Sequence, residues 1–382
     1  MFKQRGGLQL MLFKLVVGVS LFIIIMVGTV AVAKWEVISE LPTHRKSFST
    51  AVVDGKIYLI GGTLFEHARG VLRDPGPGIW RGPFGMSLVE VYDPETNTWQ
   101  RLADMPTVRA GAKTAVVDGK IYVMAGYAGK DNHVKNFKFL KAVEMYDPHT
   151  DTWVRKQDLP IPRIQFGVGT VAGKIYAIGG VLDPKEKIPG LQGRIDLVEV
   201  YDPVSDTWAK RADMPTRRDG IATAVIDDTI YAIGGNGWPQ VGAGGPALGT
   251  IEVYEPRVNR WRKRSEMPNL RKNFVISVIA DKIYLIGGYA VGAHGVRGER
   301  LTSTEVYDPA TKRWRLVSTP TPPTLHPFST ATINGRIYAF GGTTEDGEFS
   351  PTVEVFDTGF RAVTAKGKLP TRWGTLKIER QN

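Results

Sequence analysis

The sequence predicts an all-β fold, a propeller of six blades with four antiparallel strands in each blade. Three observations carry this prediction. One pattern of residues recurs six times along the chain. The 382 residues include 43 glycines, which suits many short strands joined by tight turns. No cysteine is present, so strand pairing must hold the fold together. Closed all-β folds of this length are commonly single domains.

The repeated pattern begins with an apolar segment, continues with an Ile-Tyr pair and two glycines, and ends with a tyrosine seven residues before a tryptophan. The Ile-Tyr pairs start at Ile57, Ile121, Ile175, Ile230, Ile283 and Ile337. The second copy has Ala125-Gly126 in place of the glycine pair. The tryptophans, spaced 53 to 55 residues apart, are Trp99, Trp153, Trp208, Trp261 and Trp314. Units of this length with four strand-like segments predict propeller blades.

Each part of the pattern has a structural interpretation. Asp54-Gly55 supplies the positive φ of a two-residue hairpin turn. The glycine pair marks a strand end where neighbouring backbone leaves no room for a Cβ. The tryptophan is expected to pack between blades. A glutamate also recurs on the third strand, where we expect a structural or solvated role: Glu90, Glu144, Glu199, Glu252, Glu305 and Glu354.

The Gly-Gly, Tyr and Trp residues in register resemble the kelch family, over essentially everything from Trp35 to about Phe360. The resemblance implies a six-bladed kelch propeller over residues 34–360. Trp35 precedes Leu41-Pro42 as Trp99 precedes Met105-Pro106, and the sixth copy lacks its own tryptophan. The strand that begins at Trp35 is therefore expected to close the ring by pairing with the last blade. Residues 361–382 are a C-terminal tail or an extra strand.

The first 33 residues differ from the rest of the chain. Three basic residues and an apolar run end in Ala31-Val32-Ala33, which predicts a secretory signal peptide cleaved after Ala33. The same apolar run is also long enough to be an uncleaved signal anchor, which would be the protein's only membrane contact. Either alternative predicts export, to the periplasm, the cell exterior or a membrane-anchored position outside the cytoplasm.

The composition of the chain excludes several kinds of site and partner. Without cysteine, the chain has no disulfide, thiol nucleophile or thiolate metal site. The six histidines form no metal-ligand pattern, so no metal and no cofactor are predicted. The formal charge of +11 favours anionic partners. Because the bases are scattered and the chain carries an export signal, we do not expect nucleic acid to be a partner. We expect a monomer.

The blade-to-blade connections carry the main site hypothesis. In five of them an arginine lies twelve residues before the Ile-Tyr pair, at the start of the inner strand: Arg45, Arg109, Arg163, Arg218 and Arg271. Lys46, Arg217 and Lys272 add to the charge, and only Asp219 opposes it. Such a ring would suit carboxylate, sulfate or phosphate ligands. The alternative is that the arginines hydrogen-bond neighbouring blade carbonyls, and related kelch proteins use arginines at this end to capture acidic peptides.

Three further residues are candidate ligand contacts. The sixth copy has Leu325 at the arginine position, and the adjacent His326 is placed to supplement the ring. Trp80 and Trp238 lie in long second-to-third loops, where variable segments on a regular scaffold commonly carry function. Each tryptophan is suited to stack on a sugar, to anchor a protein or to fill its own loop.

Two function classes follow. The first is an exported binding module that recognises a protein or an anionic glycan through the arginine-bearing loop face. The second is a sugar-active enzyme, because the resemblance includes copper radical oxidases and periplasmic sialic-acid mutarotases. The oxidase cofactor needs a cysteine, which this chain lacks. A mutarotase needs only acid–base groups and a sugar pocket, although no spacing here identifies catalytic residues.

Overall fold

The computed structural model describes residues 35–64, 85–129, 137–191, 193–237, 246–291, 297–318, 329–344 and 349–360. Within them no helix has the length and apolar character needed to cross a membrane. The predicted leader (1–33) and tail (361–382) lie outside the described residues. The described strands form six four-stranded antiparallel units, which confirms the predicted propeller blades.

The strands up to the end of the third blade are given in chain order, and several of two residues accompany the longer ones. They are β1 (Trp35–Glu40), β2 (Arg45–Lys46), β3 (Ser49–Val53), β4 (Lys56–Ile60), β5 (Thr63–Leu64), β6 (Val89–Asp93), β7 (Thr98–Arg101), β8 (Lys113–Val117), β9 (Lys120–Met124), β10 (Tyr127–Ala128), β11 (Lys138–Phe139), β12 (Val143–Asp147), β13 (Thr152–Lys156), β14 (Arg163–Ile164), β15 (Gly167–Val171), β16 (Lys174–Leu182), β17 (Arg194–Asp202) and β18 (Thr207–Lys210).

The remaining three blades follow the same order. Their strands are β19 (Arg218–Asp219), β20 (Ala222–Ile226), β21 (Thr229–Ile233), β22 (Asn236–Gly237), β23 (Thr250–Glu255), β24 (Arg260–Glu266), β25 (Arg271–Lys272), β26 (Val275–Ile279), β27 (Lys282–Ile286), β28 (Tyr289–Val291), β29 (Arg297–Arg300), β30 (Thr304–Asp308), β31 (Arg313–Ser318), β32 (Ser329–Ile333), β33 (Arg336–Thr343) and β34 (Phe349–Asp357).

From the inner to the outer strand, the first five blades are β3-β4-β6-β7, β8-β9-β12-β13, β15-β16-β17-β18, β20-β21-β23-β24 and β26-β27-β30-β31. The sixth is β32-β33-β34-β1, so its outer strand comes from the start of the chain. Trp35 lies opposite Phe356, and Glu40 lies opposite Thr352. The predicted pairing of the Trp35 strand with the last blade is therefore present.

Inner strands contact the inner strands of both neighbouring blades, and β3 contacts β32 as well as β8. Threonine hydroxyls at the second inner-strand position donate across these junctions. Thr114 donates to the carbonyl of Thr50 at 2.7 Å, and Thr223 donates to the carbonyl of Val168 at 2.6 Å. Both partners are partly buried, so these hydrogen bonds hold neighbouring blades at a fixed spacing. They act in addition to the apolar contact between the blades.

The outer edge of the blades is joined by a second repeated device. Asp151, at positive φ in the last turn of its blade, accepts from Tyr146 Oη at 2.6 Å and from the amide of Ala103 in the preceding blade at 2.9 Å. The predicted packing of the tryptophans between blades is also present, because Trp153 Nε1 donates to the carbonyl of Ala103 at 3.0 Å. Asn97, Asp206 and Asn259 occupy the same turn position in other blades.

The fifth blade departs from this pattern. Its turn carries Lys312 at φ 58°, which offers no acceptor. In the described part of the chain, the buried Tyr307 Oη and Trp314 Nε1 have no hydrogen-bond partner. The preceding outer strand, β24, contains a bulge opposite Ile251 and Glu252, so its backbone does not follow the path of the regular outer strands. The junction between the fourth and fifth blades is thus irregular. The next junction shares two of these features, because β31 has a bulge opposite Thr304 and Glu305 and the buried Trp35 Nε1 has no partner among the described residues.

The turn and glycine predictions are confirmed. Asp54 and Gly55 adopt φ values of 48° and 75°. A Cβ on Gly62 would lie 2.7 Å from the carbonyl oxygen of Lys46, which real Cβ atoms do not tolerate. The glycine pair therefore lets each connection cross close over the end of the second strand.

Candidate functional site

The five repeated arginines lie at one end of the inner strands, where the blade-to-blade connections arrive. Each is fully buried, with a relative exposure of 0%. Four of them begin a short strand, β2, β14, β19 or β25, that pairs with the start of a second-to-third loop or with the end of β16. The sequence brings them here because an apolar Leu or Met and a proline precede each arginine, and the apolar residue is buried at the foot of the connection.

The first blade shows how the guanidinium is held. Arg45 Nη2 donates to Glu90 Oε2 at 2.8 Å and to the carbonyl of Leu59 at 3.1 Å. Arg45 Nη1 donates to the carbonyls of Gly61 and Leu88, both at 3.1 Å. One guanidinium thus joins the connection to the second and third strands of its own blade. The same ion pair recurs as Arg109–Glu144, Arg163–Glu199, Arg218–Glu252 and Arg271–Glu305.

The glutamates are held from a second direction. Thr43 Oγ1 donates to Glu90 Oε1 at 2.8 Å, and Thr216 Oγ1 donates to Glu252 Oε1 at 2.7 Å. Thr107 and Asn269 make the equivalent bonds to Glu144 and Glu305. The third blade has Ile161 at this position and lacks the hydroxyl. The repeated glutamates therefore have a structural role, as one of the sequence interpretations proposed.

Burial has the expected electrostatic effect on these pairs. It lowers the pKa of Arg45 to about 10, against the attraction of Glu90, which raises it. Burial likewise lowers the pKa of Arg109, Arg163, Arg218 and Arg271, against their glutamates. A guanidinium with a pKa near 10 is still protonated at neutral pH, so Arg45 carries its charge under ordinary conditions.

The expectation of an exposed arginine ring that meets an anionic ligand does not agree with this geometry. Each guanidinium is covered by protein and its charge is already paired with a carboxylate. Withdrawing a donor toward a ligand would leave a buried glutamate uncompensated, at a large cost in free energy. The geometry supports the structural alternative, in which the arginines bind blade carbonyls, although these carbonyls belong to the blade that each arginine leads into and not to a neighbouring blade.

Three further residues were predicted to contact a ligand. His326, Trp80 and Trp238 lie outside the described residues, as does Leu325, and they stay predictions. Among the described residues, no group of three or more His, Asp or Glu side chains is arranged to hold a metal ion.

Above the buried arginines, the connections form what we call the mouth, defined by Lys46, Lys113, Asp219 and Lys272. Lys46 is exposed, and Lys113 and Lys272 are half-buried. Asp219 is buried in an ion pair with Arg194, at 2.8 Å from Nε to Oδ1. Burial and the nearby Arg194 lower the pKa of Lys272, whereas Asp219 raises it. Cations therefore dominate the accessible part of the mouth.

Lys113 was missed by the sequence reasoning, which counted charges only up to two residues beyond each arginine. It lies four residues beyond Arg109, as the first residue of β8. The signal that would have found it is the comparison of first inner-strand residues, which in the other blades are Ser49, Gly167, Ala222, Val275 and Ser329. A lysine among small and apolar neutral residues is the exception.

A separate shallow depression of about 520 Å³ lies on the loop between β16 and β17. It is lined by that loop's own residues, including Asp183, Glu186, Lys187 and Ile188. None of the mouth lysines contributes to it. We therefore treat the mouth as the candidate functional site.

Comparison with known proteins agrees with this architecture. The kelch motif model matches residues 80–106, 109–160, 162–215, 217–268, 270–321 and 324–363. A solved structure of YjhT superposes with a TM-score of 0.64 at 17% identity, covering 83% of this chain and 96% of that one, which shows the shared fold.

Curated relatives share the repeat region. Kelch-like protein 35 of Mus musculus is 26% identical over 291 residues, covering 76% of this chain and 44% of that protein. Beta-scruin of Limulus polyphemus is 24% identical over 278 residues, covering 72% and 28% respectively. The chain thus spans less than half the length of these relatives. With six motif matches over most of its length, the chain belongs to the kelch-repeat family.

Proposed function

We propose that this kelch propeller is a protein-binding module whose mouth captures an acidic segment of its partner. Kelch propellers typically serve as protein-interaction modules. The observation that carries the acidic specificity is the charge of the five described connections, 41–49, 105–113, 159–167, 214–222 and 267–275. Their only carboxylate is Asp219, which is buried against Arg194.

The buried arginine layer supports this proposal indirectly. Because the guanidinium groups are fixed by carboxylates and carbonyls, they hold the connections in place beneath the mouth. The lysines that follow them are displayed at fixed positions on a rigid scaffold. Preorganised groups lose less entropy on binding than mobile ones do. A flexible acidic segment would then lose most of the conformational entropy on its own side.

We also propose that the protein acts outside the cytoplasm, on the strength of the basic, apolar and Ala31-Val32-Ala33 pattern at its start. Intact-mass measurement of the chain recovered after export tests this. We expect a mature protein that starts at Lys34. A recovered protein that retains Met1 would instead be a signal anchor.

Fluorescence anisotropy with a labelled hexaglutamate peptide tests the binding proposal. We expect saturable binding that weakens as salt is raised, because the contacts are ionic and accessible. Charge reversal at the mouth, K46E with K272E, should weaken binding at least about tenfold. The matched control K210E with K263E makes the same charge change on outer strands, at lysines that are 64% and 62% exposed.

Equal losses in the two double variants would show that net charge alone drives binding and would overturn the mouth as the site. A sulfated oligosaccharide in place of the peptide tests the other ligand class. Tighter binding of that glycan than of hexaglutamate would overturn the protein-binding proposal in favour of an anionic glycan.

A further inference from the structure

Lys113 is the one charged residue at the first inner-strand position in the blades of this chain. Its register partner on β9 is Met124, at the mouth end of the blade, whereas the hairpin turn at Asp118 and Gly119 lies at the other end. The side chain is half-buried. A lysine at this place is not needed to complete the blade, because five other blades are built without it.

The repeat shows which way this side chain projects. Ser49 Oγ, at the equivalent position, donates to the carbonyl of Ala112 in the next blade. Ser329 Oγ lies 2.8 Å from Thr50 Oγ1, also in the next blade. A Cβ added to Gly167 would meet the side chain of Thr223, again in the next blade. By the same geometry Lys113 projects toward the third blade, whose inner strand β15 contacts β8.

The third blade offers no polar side chain there. The second inner-strand position holds a threonine in four blades, Thr50, Thr114, Thr223 and Thr330. In the third blade the same position is Val168, flanked by Gly167 and Gly169. Among the described residues, no hydrogen bond or ion pair to Lys113 is present. By contrast Lys120, Lys174 and Lys282, at the starts of second strands, pair with Asp147, Asp202 and Asp308.

The charged surroundings of Lys113 are equally sparse. Of the three strands packed against β8, β3 and β15 have no titratable side chain, and β9 has Lys120 and Tyr122. Lys120 lies at the far end of β9 and is paired with Asp147. Burial alone lowers the pKa of Lys113, with no charged group of the described part of the chain offsetting it. An ammonium that has lost water and gained no partner attracts an anion more strongly than a fully hydrated one.

We propose that Lys113 is a carboxylate-binding subsite of the mouth, which receives one Asp or Glu side chain of the acidic segment at the junction of the second and third blades. This rests on the proposed function and goes beyond it by naming the group that the ligand must present. Lysine suits this role as a compact charge with rotatable donors, which binds a single carboxylate oxygen without the bidentate geometry of arginine.

Hexaglutamate anisotropy on three single variants tests the subsite. K113M removes the charge and keeps the apolar stem, K113R keeps the charge, and K210M removes an equal charge from an exposed outer strand. We expect K113M to bind about tenfold or more weakly than wild type, since a charge-assisted hydrogen bond is lost. K210M should stay within about twofold, and K113R should bind more tightly than K113M.

A second readout follows the lysine itself. Brief labelling with acetic anhydride, with mass spectrometry of each lysine, should show Lys113 protected by saturating hexaglutamate and Lys210 unaffected. If the peptide binds wild type but K113M equals K210M and Lys113 stays unprotected, the subsite is wrong while the proposed function stands. If hexaglutamate does not bind wild type at all, the proposed function fails, and the subsite with it.

Discussion

Arg109 and Lys113 lie four residues apart in the second blade, yet their surroundings are opposite. The Arg109 guanidinium is fully buried and donates to the carbonyls of Ala125 and Ala142, at 3.0 and 2.8 Å, and to Glu144. Lys113 is half-buried, and the described residues provide it with no hydrogen-bond or ion-pair partner. The buried arginine layer and the mouth above it are therefore two regions of like charge with different surroundings.

The difference shows that position at a propeller mouth does not by itself make a cation a ligand contact. A buried charge is stable only when partners replace its lost water, and those partners also occupy its donors. A partly desolvated charge without partners costs folding free energy and is available to a ligand. Sites where sequence and local stability disagree in this way are commonly functional.

The largest loss of stability is expected from a substitution in the buried arginine layer. R218M should lower the free energy of unfolding by about 3–5 kcal/mol, because it leaves Glu252 buried and uncompensated. The control R101M removes an arginine that is 68% exposed and paired with Asp104, and should change stability by less than about 0.5 kcal/mol. Thermal and urea unfolding measure both. If R218M unfolds like R101M, the arginine layer is not structural.

The pH dependence of binding sharpens the role of Lys113. The lowered pKa means that Lys113 loses its proton before the pH reaches the ordinary lysine value of 10.5. Since a carboxylate binds only the charged form, hexaglutamate affinity should fall as the pH rises from 7 toward the ordinary lysine value of 10.5. In K113R the guanidinium keeps its charge, so the profile should be flatter. A wild-type profile as flat as that of K113R would contradict the assignment.

A smaller loss of stability is expected when the second donor to a buried glutamate is removed and its arginine is kept. T216V removes the hydroxyl that donates to Glu252 but leaves Arg218 in place, and should cost about 1 kcal/mol of unfolding free energy. The third blade has Ile161 at this position, and its Glu199 is held by Arg163 without a threonine hydroxyl. T207V, on an exposed outer strand, is the control. A loss as large as that of R218M would mean that the threonine, not the ion pair, dominates.

The smallest effect is expected from a substitution in the last turn of the fifth blade. K312N places an acceptor in the turn where Tyr307 Oη now has no partner in the described part of the chain. Asparagine also tolerates the φ of 58° better than lysine does. The melting temperature should rise, corresponding to about 0.5–1 kcal/mol. K210N should not raise it, and an unchanged or lower value for K312N would show that the unpaired hydroxyl is not costly.

Much of the fold could be predicted from sequence because a propeller repeats its constraints. The Ile-Tyr pairs, glycines and tryptophans recur in register, so the blade count, the hairpin at Asp54-Gly55 and the role of Trp35 all followed from spacing. Repetition also showed both Arg45 and Glu90 and their equivalents. It did not show that they pair, because the partners lie 45 residues apart and meet only when the connection folds back over the third strand.

Of the candidate site, only its positive charge could be predicted from the sequence. The spacing of the repeats places Arg109 and Lys113 at the same end of a strand but does not say which side chain turns inward. That depends on the crossing of the connection over Gly126, whose Cβ would lie 2.6 Å from the carbonyl of Ala110. The environment of Lys113 depends further on Val168 in the neighbouring blade, about fifty residues away in sequence.

Melting temperature and hexaglutamate affinity, measured on the same preparations of R218M and K113M, test the central claim most directly. We expect R218M to melt well below wild type. K113M should melt at or above wild type at pH 7, because it removes a charge whose pKa burial lowers, and yet lose about tenfold or more in affinity. The contrary result is an R218M that keeps the wild-type melting temperature but loses the peptide, together with a K113M that binds normally.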